Sequence, residues 1–453
     1  MATVTTAPTA PAAALIGFRQ ALHGTCTRWA DALFELTDAT LQSSAPVSSV
    51  PHLSLEGCFR RSHGSLYKAL AHGRIDTAAL RRLLVSHRPA AWPAVFAVDA
   101  STWDRCDAET SPGRGFYYHP SKHSAGQPIV AGWSYEWIAQ LSWAADSWTA
   151  PVDARRIQVA EDATEATATQ IRQLSALLDD GQVPLFVFDA GYDAIGLTHE
   201  LADDDVQLLA RIRDDRVFYT DPPERDAGTV GRPRRHGARF KCSDADTWHE
   251  PDDHLVVADA RYGTVTVTCW SHLHPKLGRR GRWADYDMPP IVAGTVIRVE
   301  VEHLPKPTAR AKKTLWLWWA GPGQPDLELC FRAYLRRFDL EHTYRFVKNT
   351  LGWTTPKICT PEQADRWTWL ILAAYTQLRL ARGLVADHRL PWERPCDPAR
   401  LTPARVRRGF RRLAAHLGTP ASPPKSDTPG PGRPKGTRTG PRTRHPALKK
   451  AAA

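Results

Sequence analysis

Residues 94–102 read A-V-F-A-V-D-A-S-T, and residues 184–189 read P-L-F-V-F-D. Each is an apolar run of strand length that stops at a carboxylate, Asp99 in the first and Asp189 in the second. Apolar runs without polar alternation suit strands buried on both faces, as in a parallel sheet. A lone acid after a strand is commonly a turn former or a helix cap. Two acids closing the same device form a pattern. Asp193, a few residues past Asp189, is read instead as the N-cap of a following helix. Residues 206–212 read as the next strand and residues 155–178, with few breakers, as a helix. Strands alternating with helices place this part of the chain in the α/β class.

Working outward, residues 334–348 read Y-L-R-R-F-D-L-E-H-T-Y-R-F-V-K, inside a span from 327 to 349 that lacks Gly and Pro. At about 100° per residue, Tyr334, Arg337, Glu341 and Lys348 share an arc of roughly 60° on one helix. A phenol, a guanidinium and an ammonium all bind phosphate, whereas a carboxylate repels it. A carboxylate belongs on that face when a cation stands between it and the phosphate, which points to metal-dependent phosphodiester chemistry. The alternative is a solvated helix face laced with i,i+4 ion pairs. Asp99, Asp189 and Glu341, on strand, strand and helix, supply three carboxylates that together would hold two divalent cations. Hard oxygen ligands and a phosphodiester favour Mg2+, with Mn2+ as its substitute.

The formal charge of +11 is uneven. Residues 397–453 carry fourteen Lys and Arg against Asp397 and Asp427, so +12, which leaves −1 for the first 396 residues. Such asymmetry points to a polyanionic partner. Within this region 405–412 (R-V-R-R-G-F-R-R) is a basic patch, and 419–453, rich in Pro, Gly, Lys and Arg, reads as disordered when free. Its G-R-P-K-G at 432–436 presents Arg433 and Lys435 on a flat extended core suited to a narrow minor groove. The eight cysteines are scattered with no C-x-x-C, which argues against a zinc ribbon or a disulfide framework and suits a reducing cytosol. The first residues lack the basic start of a signal peptide, and the longest apolar run is too short to span a bilayer. A cytoplasmic, nucleoid-associated protein with no membrane partner is expected.

The length allows two to four domains. Residues 1–90 read as helical, with a 3–4 residue apolar period over 15–41 and helices near 53–72 and 77–87, the last capped by Asp76. Their Arg and Lys side chains fit a DNA-binding unit, with a neutral packing bundle as the other reading. Residues 91–213 form the first part of an α/β core, including strands within 114–145. Residues 214–326 break the rhythm, with β-prone runs at 254–259, 263–270 and 291–302, and read as a β-rich insertion domain. It closes on L-W-L-W-W at 315–319, where indoles serve either core or base stacking. Residues 327–390 return to the core with the Glu helix and a second helix near 361–384, opened by Thr360 and Pro361. Residues 391–453 form the basic C-terminal region.

The order Asp99, Asp189, Glu341 resembles that of the DDE transposases with a ribonuclease H-like fold. Tyr334, Arg337, Glu341 and Lys348 match the Y-x2-R-x3-E-x6-K signature of one cut-and-paste insertion-sequence group. F-D-A-G-Y-D at 188–193 resembles the group's second-Asp motif and V-D-A-S-T at 98–102 its first. The resemblance covers about 91–385. It implies a mixed sheet with helices on both faces, interrupted by the insertion. It also implies Asp99 shared by two metal ions, with Asp189 and Glu341 each completing one. Tyr334, Arg337 and Lys348 would bind phosphates at the cleaved end. Trp316 is the best positional match to an indole that stacks on a flipped base in relatives using a hairpin intermediate, with Trp318 and Trp319 as the alternatives. The implied activity is transposition: nicking of element ends in double-stranded DNA, then joining of the 3′-OH ends to target DNA, by a homodimer that pairs two ends. The other readings are a nuclease of the same fold that does not join, and a transposase-derived DNA-binding protein.

Overall fold

The computed structural model describes residues 9–119, 126–178, 181–225, 230–305, 312–425, 434, 436 and 440–449. The chain divides into two compact units: Met1–Trp92, Ala100–Ala160 and Asp339–Lys450 form the first, and Pro93–Asp99 with Glu161–Phe338 the body of the second.

The second unit is built on a mixed sheet. The run at 94–102 becomes the strand Val95–Asp104, whose first part belongs here, and Val95, Phe96, Ala97 and Val98 are almost wholly buried. It pairs in parallel with Leu185–Phe188, which pairs in parallel with Gln207–Ile212. Burial on both faces accounts for the unbroken apolar character of these runs. The helix Ala194–Glu200 crosses between the second and third of these strands, and Asp193 caps it by accepting from the Gly196 amide. The sheet then continues antiparallel through Thr314–Ala320, Gly294–Val301, Gly263–Leu273 and Asp253–Asp259. The β-rich stretch is therefore not a separate sheet: its last strand pairs with Gln207–Ile212 and extends the core. Helix Leu327–Arg336, capped by Asp326, buries Leu327, Cys330, Phe331 and Ala333 against the Gly263–Leu273 and Leu185–Phe188 strands.

In the first unit Gly115–Tyr118, Ile129–Leu141 and Thr149–Ile157 form an antiparallel meander. The expected helix at 155–178 is present over Ala163–Ser175, in the second unit, opened by Asp162; its first three expected residues instead end the meander's third strand. The central helix Pro361–Ala381 starts on a capping box between Thr360 and Gln363 and buries Trp367, Trp369, Leu370, Ile371, Leu372 and Tyr375. The N-terminal period also splits: helices Ala10–Thr25 and Ala30–Gln42 are separated by the short strand Cys26–Arg28 and by Trp29 at φ 58°. These helices are not an appendage. Arg19, 2% exposed, donates to Asp38 at 2.6 and 2.8 Å and to Gln377 of the central helix at 2.8 Å.

Part of the expected positive charge is taken up by pairing within the unit. Arg60 and Arg61 pair with Glu35, Arg405 with Asp387 and Arg408 with Glu393. Arg407 lies buried on the Thr40 and Ala45 carbonyls, and desolvation pulls it down to about 10. The patch at 405–412 forms the helix Pro403–Leu417. The C-terminal stretch read as disordered is ordered in part, because residues 445–448 bond to the backbone of residues 109–114. Arg433 and Lys435 lie outside the described residues.

Candidate active site

Asp99 lies within the strand Val95–Asp104 rather than at its end as expected, because the strand runs on past the apolar run; Asp189 directly follows Leu185–Phe188. Val95 lies opposite Leu185, Phe96 opposite Phe186 and Ala97 opposite Val187, so the pairing stops two residues before each aspartate. Asp99 is half-buried, and the Asp189 side chain is 45% exposed.

The end of the Leu327–Arg336 helix brings a basic group to Asp189. Arg337, 9% exposed, places Nη2 3.7 Å from Asp189 Oδ1. Its guanidinium also stands over the Tyr334 ring, 5.6 Å from the centroid. The buried Nε of Arg337 has no hydrogen-bond partner among the described residues. A buried donor of this kind is costly unless a ligand oxygen meets it. Arg211, on the Gln207–Ile212 strand, donates toward the Tyr334 hydroxyl. Burial raises the Tyr334 phenol above its usual range, partly offset by Arg337 and Arg211. The phenol therefore stays protonated at neutral pH and donates a hydrogen bond. Arg211 was missed in the sequence. It lies in a strand interior, and only pairing shows that this strand runs beside the one ending at Asp189.

Glu341 belongs to the first unit. The single helix expected over 327–350 is interrupted at Arg337, giving Leu327–Arg336 and Phe338–Asn349. The break is slight: Arg337 keeps right-handed helical dihedrals and donates its N–H to Ala333 at 2.9 Å. Glu341 lies half-buried in the first turn of the second segment. Lys348, in its last turn, donates from Nζ to Ser101 Oγ at 2.6 Å, and Ser101 follows Asp99 by two residues. The ammonium also stands 5.9 and 5.7 Å from the Tyr344 and Trp353 rings.

Carboxylates are the hard oxygen ligands that suit a divalent cation, and Asp189 is open to solvent. Among the described residues no group of three or more His, Cys, Asp or Glu is gathered closely enough to hold a metal ion. Trp316, expected as a base-stacking indole, is 4% exposed, with its ring against Trp248 at 5.4 Å, Trp270 at 5.9 Å and Phe240 at 6.2 Å. Trp318 and Trp319 are buried as well, Trp318 stacked on Phe218 and donating to Thr198.

This arrangement is that of a mixed α/β protein in which Asp189 stands beside Arg337, and Arg337 beside Tyr334. A family model described as DDE superfamily endonuclease matches residues 18–274, more than half of the chain, and the chain belongs to that family. Asp99 and Asp189 lie inside the matched span, and Tyr334, Arg337, Glu341 and Lys348 lie beyond it. No curated protein matches. One similar solved structure is described as the cryo-EM structure of piggyBac transposase synaptic complex with hairpin DNA. The similarity has a TM-score of 0.40 at 10% identity, over 92% of this chain and 74% of that chain. No helix among the described residues is long and apolar enough to cross a membrane.

Proposed function

We propose that the chain is the DNA transposase of an insertion sequence, cutting element ends and joining their 3′-OH groups to target DNA. The observation that carries this reading is the parallel pairing of the strand that contains Asp99 with the strand that Asp189 follows, in a member of the DDE endonuclease family. In it, Asp99, Asp189 and Glu341 are the ligands of two Mg2+ ions, replaceable by Mn2+. When bound, such ions activate a water or a 3′-OH as nucleophile and stabilise the leaving 3′ oxygen.

The remaining residues position the phosphate. Arg337 offers its unpaired Nε together with a terminal nitrogen, a fork that matches two phosphate oxygens. Asp189 holds that fork in place through its charge. Tyr334, kept neutral by burial, donates to a third oxygen, and Arg211 orients it. Lys348, a compact point charge, meets a neighbouring phosphate. Two copies on double-stranded DNA hold two element ends in one complex, so the working form is a homodimer, with a hairpin intermediate as a variant of the route.

The test is strand transfer of labelled element ends in Mg2+ by the wild type and by Glu341→Gln. Cleavage and joining should be lost in the variant while end binding persists. Equal activity in both would remove Glu341 from the site. Cleavage without joining in the wild type would make the chain a nuclease.

A further inference from the structure

The first unit carries an exposed surface whose frame is the contact between residues 441–449 and the segment 105–118. His445 donates its amide to the Glu109 carbonyl at 2.7 Å, and Leu448 donates its own to the Arg114 carbonyl at 2.7 Å. Leu448 also forms a parallel bridge with Gly115 at the start of the Gly115–Tyr118 strand. Arg114, 4% exposed, locks the join from beneath, donating to the carbonyls of Ser111 at 3.0 Å, Arg105 at 3.0 Å and His445 at 2.7 Å.

Every one of these contacts to 441–449 is made to its backbone. Its basic side chains are left facing outward. Arg442 and Lys449 are exposed, and the Arg444 side chain is 82% exposed with one acidic neighbour, Glu109, at 3.6 Å. Residues 441–449 contain no acid. A tail serving only as packing would bury side chains and leave its backbone to water. This one does the reverse.

The strand it joins exposes aromatic rings. Phe116 is 47% and Tyr118 72% exposed. They are two residues apart and so share one face of the strand, about 6.8 Å from each other. Tyr118 lies opposite Ile129, 37% exposed, on the paired strand, which extends the apolar face. Exposed rings clustered in this way mark a binding surface. Rings at that spacing beside a row of cations match a chain of π-faced bases on a phosphate backbone, and a paired duplex hides those faces.

We infer that Phe116, Tyr118, Arg442, Arg444 and Lys449 form a binding surface for a single DNA strand, the rings stacking on bases and the cations on phosphates. The inference rests on the reading of the chain as a DNA enzyme and names a further contact for it. The test is binding of a labelled oligothymidylate, and of the duplex of the same length, across a range of salt. It uses the full chain, Phe116→Ala/Tyr118→Ala, and Arg442→Gln/Arg444→Gln/Lys449→Gln. The ring variant should weaken single-strand binding at least about five-fold per ring and duplex binding less. The charge variant should reduce the slope of log K against log salt by about 2. Because the cations lie on exposed side chains, that variant reports on binding even if loss of the rings loosens the strand. Unchanged single-strand affinity in both variants overturns the inference, as does an equal loss on duplex. A wild type that binds the strand through these residues yet never cleaves element ends would overturn the proposed function and leave this surface standing.

Discussion

Replacing Trp316 by alanine separates a core indole from a DNA-contacting one. Trp316 is 4% exposed, paired across the sheet with Arg298 and Ile212, and ringed by Trp248, Trp270 and Phe240. Truncating a buried Trp to Ala costs about 3–5 kcal/mol, because the transfer energy is lost and the cavity closes only in part. The ring pairs, about 0.5–1.5 kcal/mol each, lie within that cost. The Arg298 guanidinium, 4.9 Å from the Trp248 centroid and 6.0 Å from that of Trp316, loses one of its two aromatic faces. Trp316→Phe keeps most of the contact and should cost a fraction as much. The assay is urea denaturation followed by far-UV circular dichroism, with strand joining measured below the transition. Trp316→Ala should lower the midpoint sharply, and its activity should follow the folded fraction. A Trp316→Ala protein with an unchanged midpoint but no joining would refute the core assignment and return the indole to the DNA.

Arg211→Ala should weaken binding of cleaved ends about ten-fold, the scale of one charge-assisted hydrogen bond, with the denaturation midpoint nearly unmoved; undiminished end binding would drop Arg211 from the cluster. Asp193→Ala should cost about 1 kcal/mol through the lost cap and leave cleavage per folded molecule unchanged, since Asp193 caps a helix and faces Arg282; abolished cleavage in a folded variant would place it among the ligands. His274, buried and 2.9 Å from His236, is held below the usual imidazole range by desolvation and then by His236, with Asp221 opposing and Arg235 adding. In a folded state with a depressed pKa the ring stays neutral while the unfolded chain takes up a proton. Stability is thus full above about pH 6.5 and falls as the pH drops from there towards the folded pKa. Denaturation midpoints from pH 7.5 down to 5 should show the fall, and His236→Gln should flatten it; a pH-independent midpoint would exclude the pair.

Several elements were legible from the residues alone. The two apolar runs ending in Asp99 and Asp189, the Asp193 and Asp76 caps, and the Thr360–Gln363 capping box each involve groups a few residues apart. The three β-prone runs of the middle stretch likewise appear as strands. Local chemistry decides such features, because a cap or a turn forms with its own neighbours. The helix expected at 155–178 appears over Ala163–Ser175, and its start was misplaced because residues 155–157 pair with the strand Ile129–Leu141, a long-range partner that local sequence does not reveal.

What the sequence by itself determined is therefore a set of devices: apolar runs ending in carboxylates, a basic helix with an acid in it, and a positively charged C-terminal region. Tertiary structure decided how they are used. Strand pairing set the strand containing Asp99 beside the one that Asp189 follows, and strand order brought Arg211 to Tyr334. Packing buried Trp316 among Trp248, Trp270 and Phe240, and pairing consumed much of the charge on Arg60, Arg61, Arg405 and Arg408. The physical reason is range. Propensity and capping act over a few residues, whereas burial and ion pairing depend on partners that only the folded chain brings together.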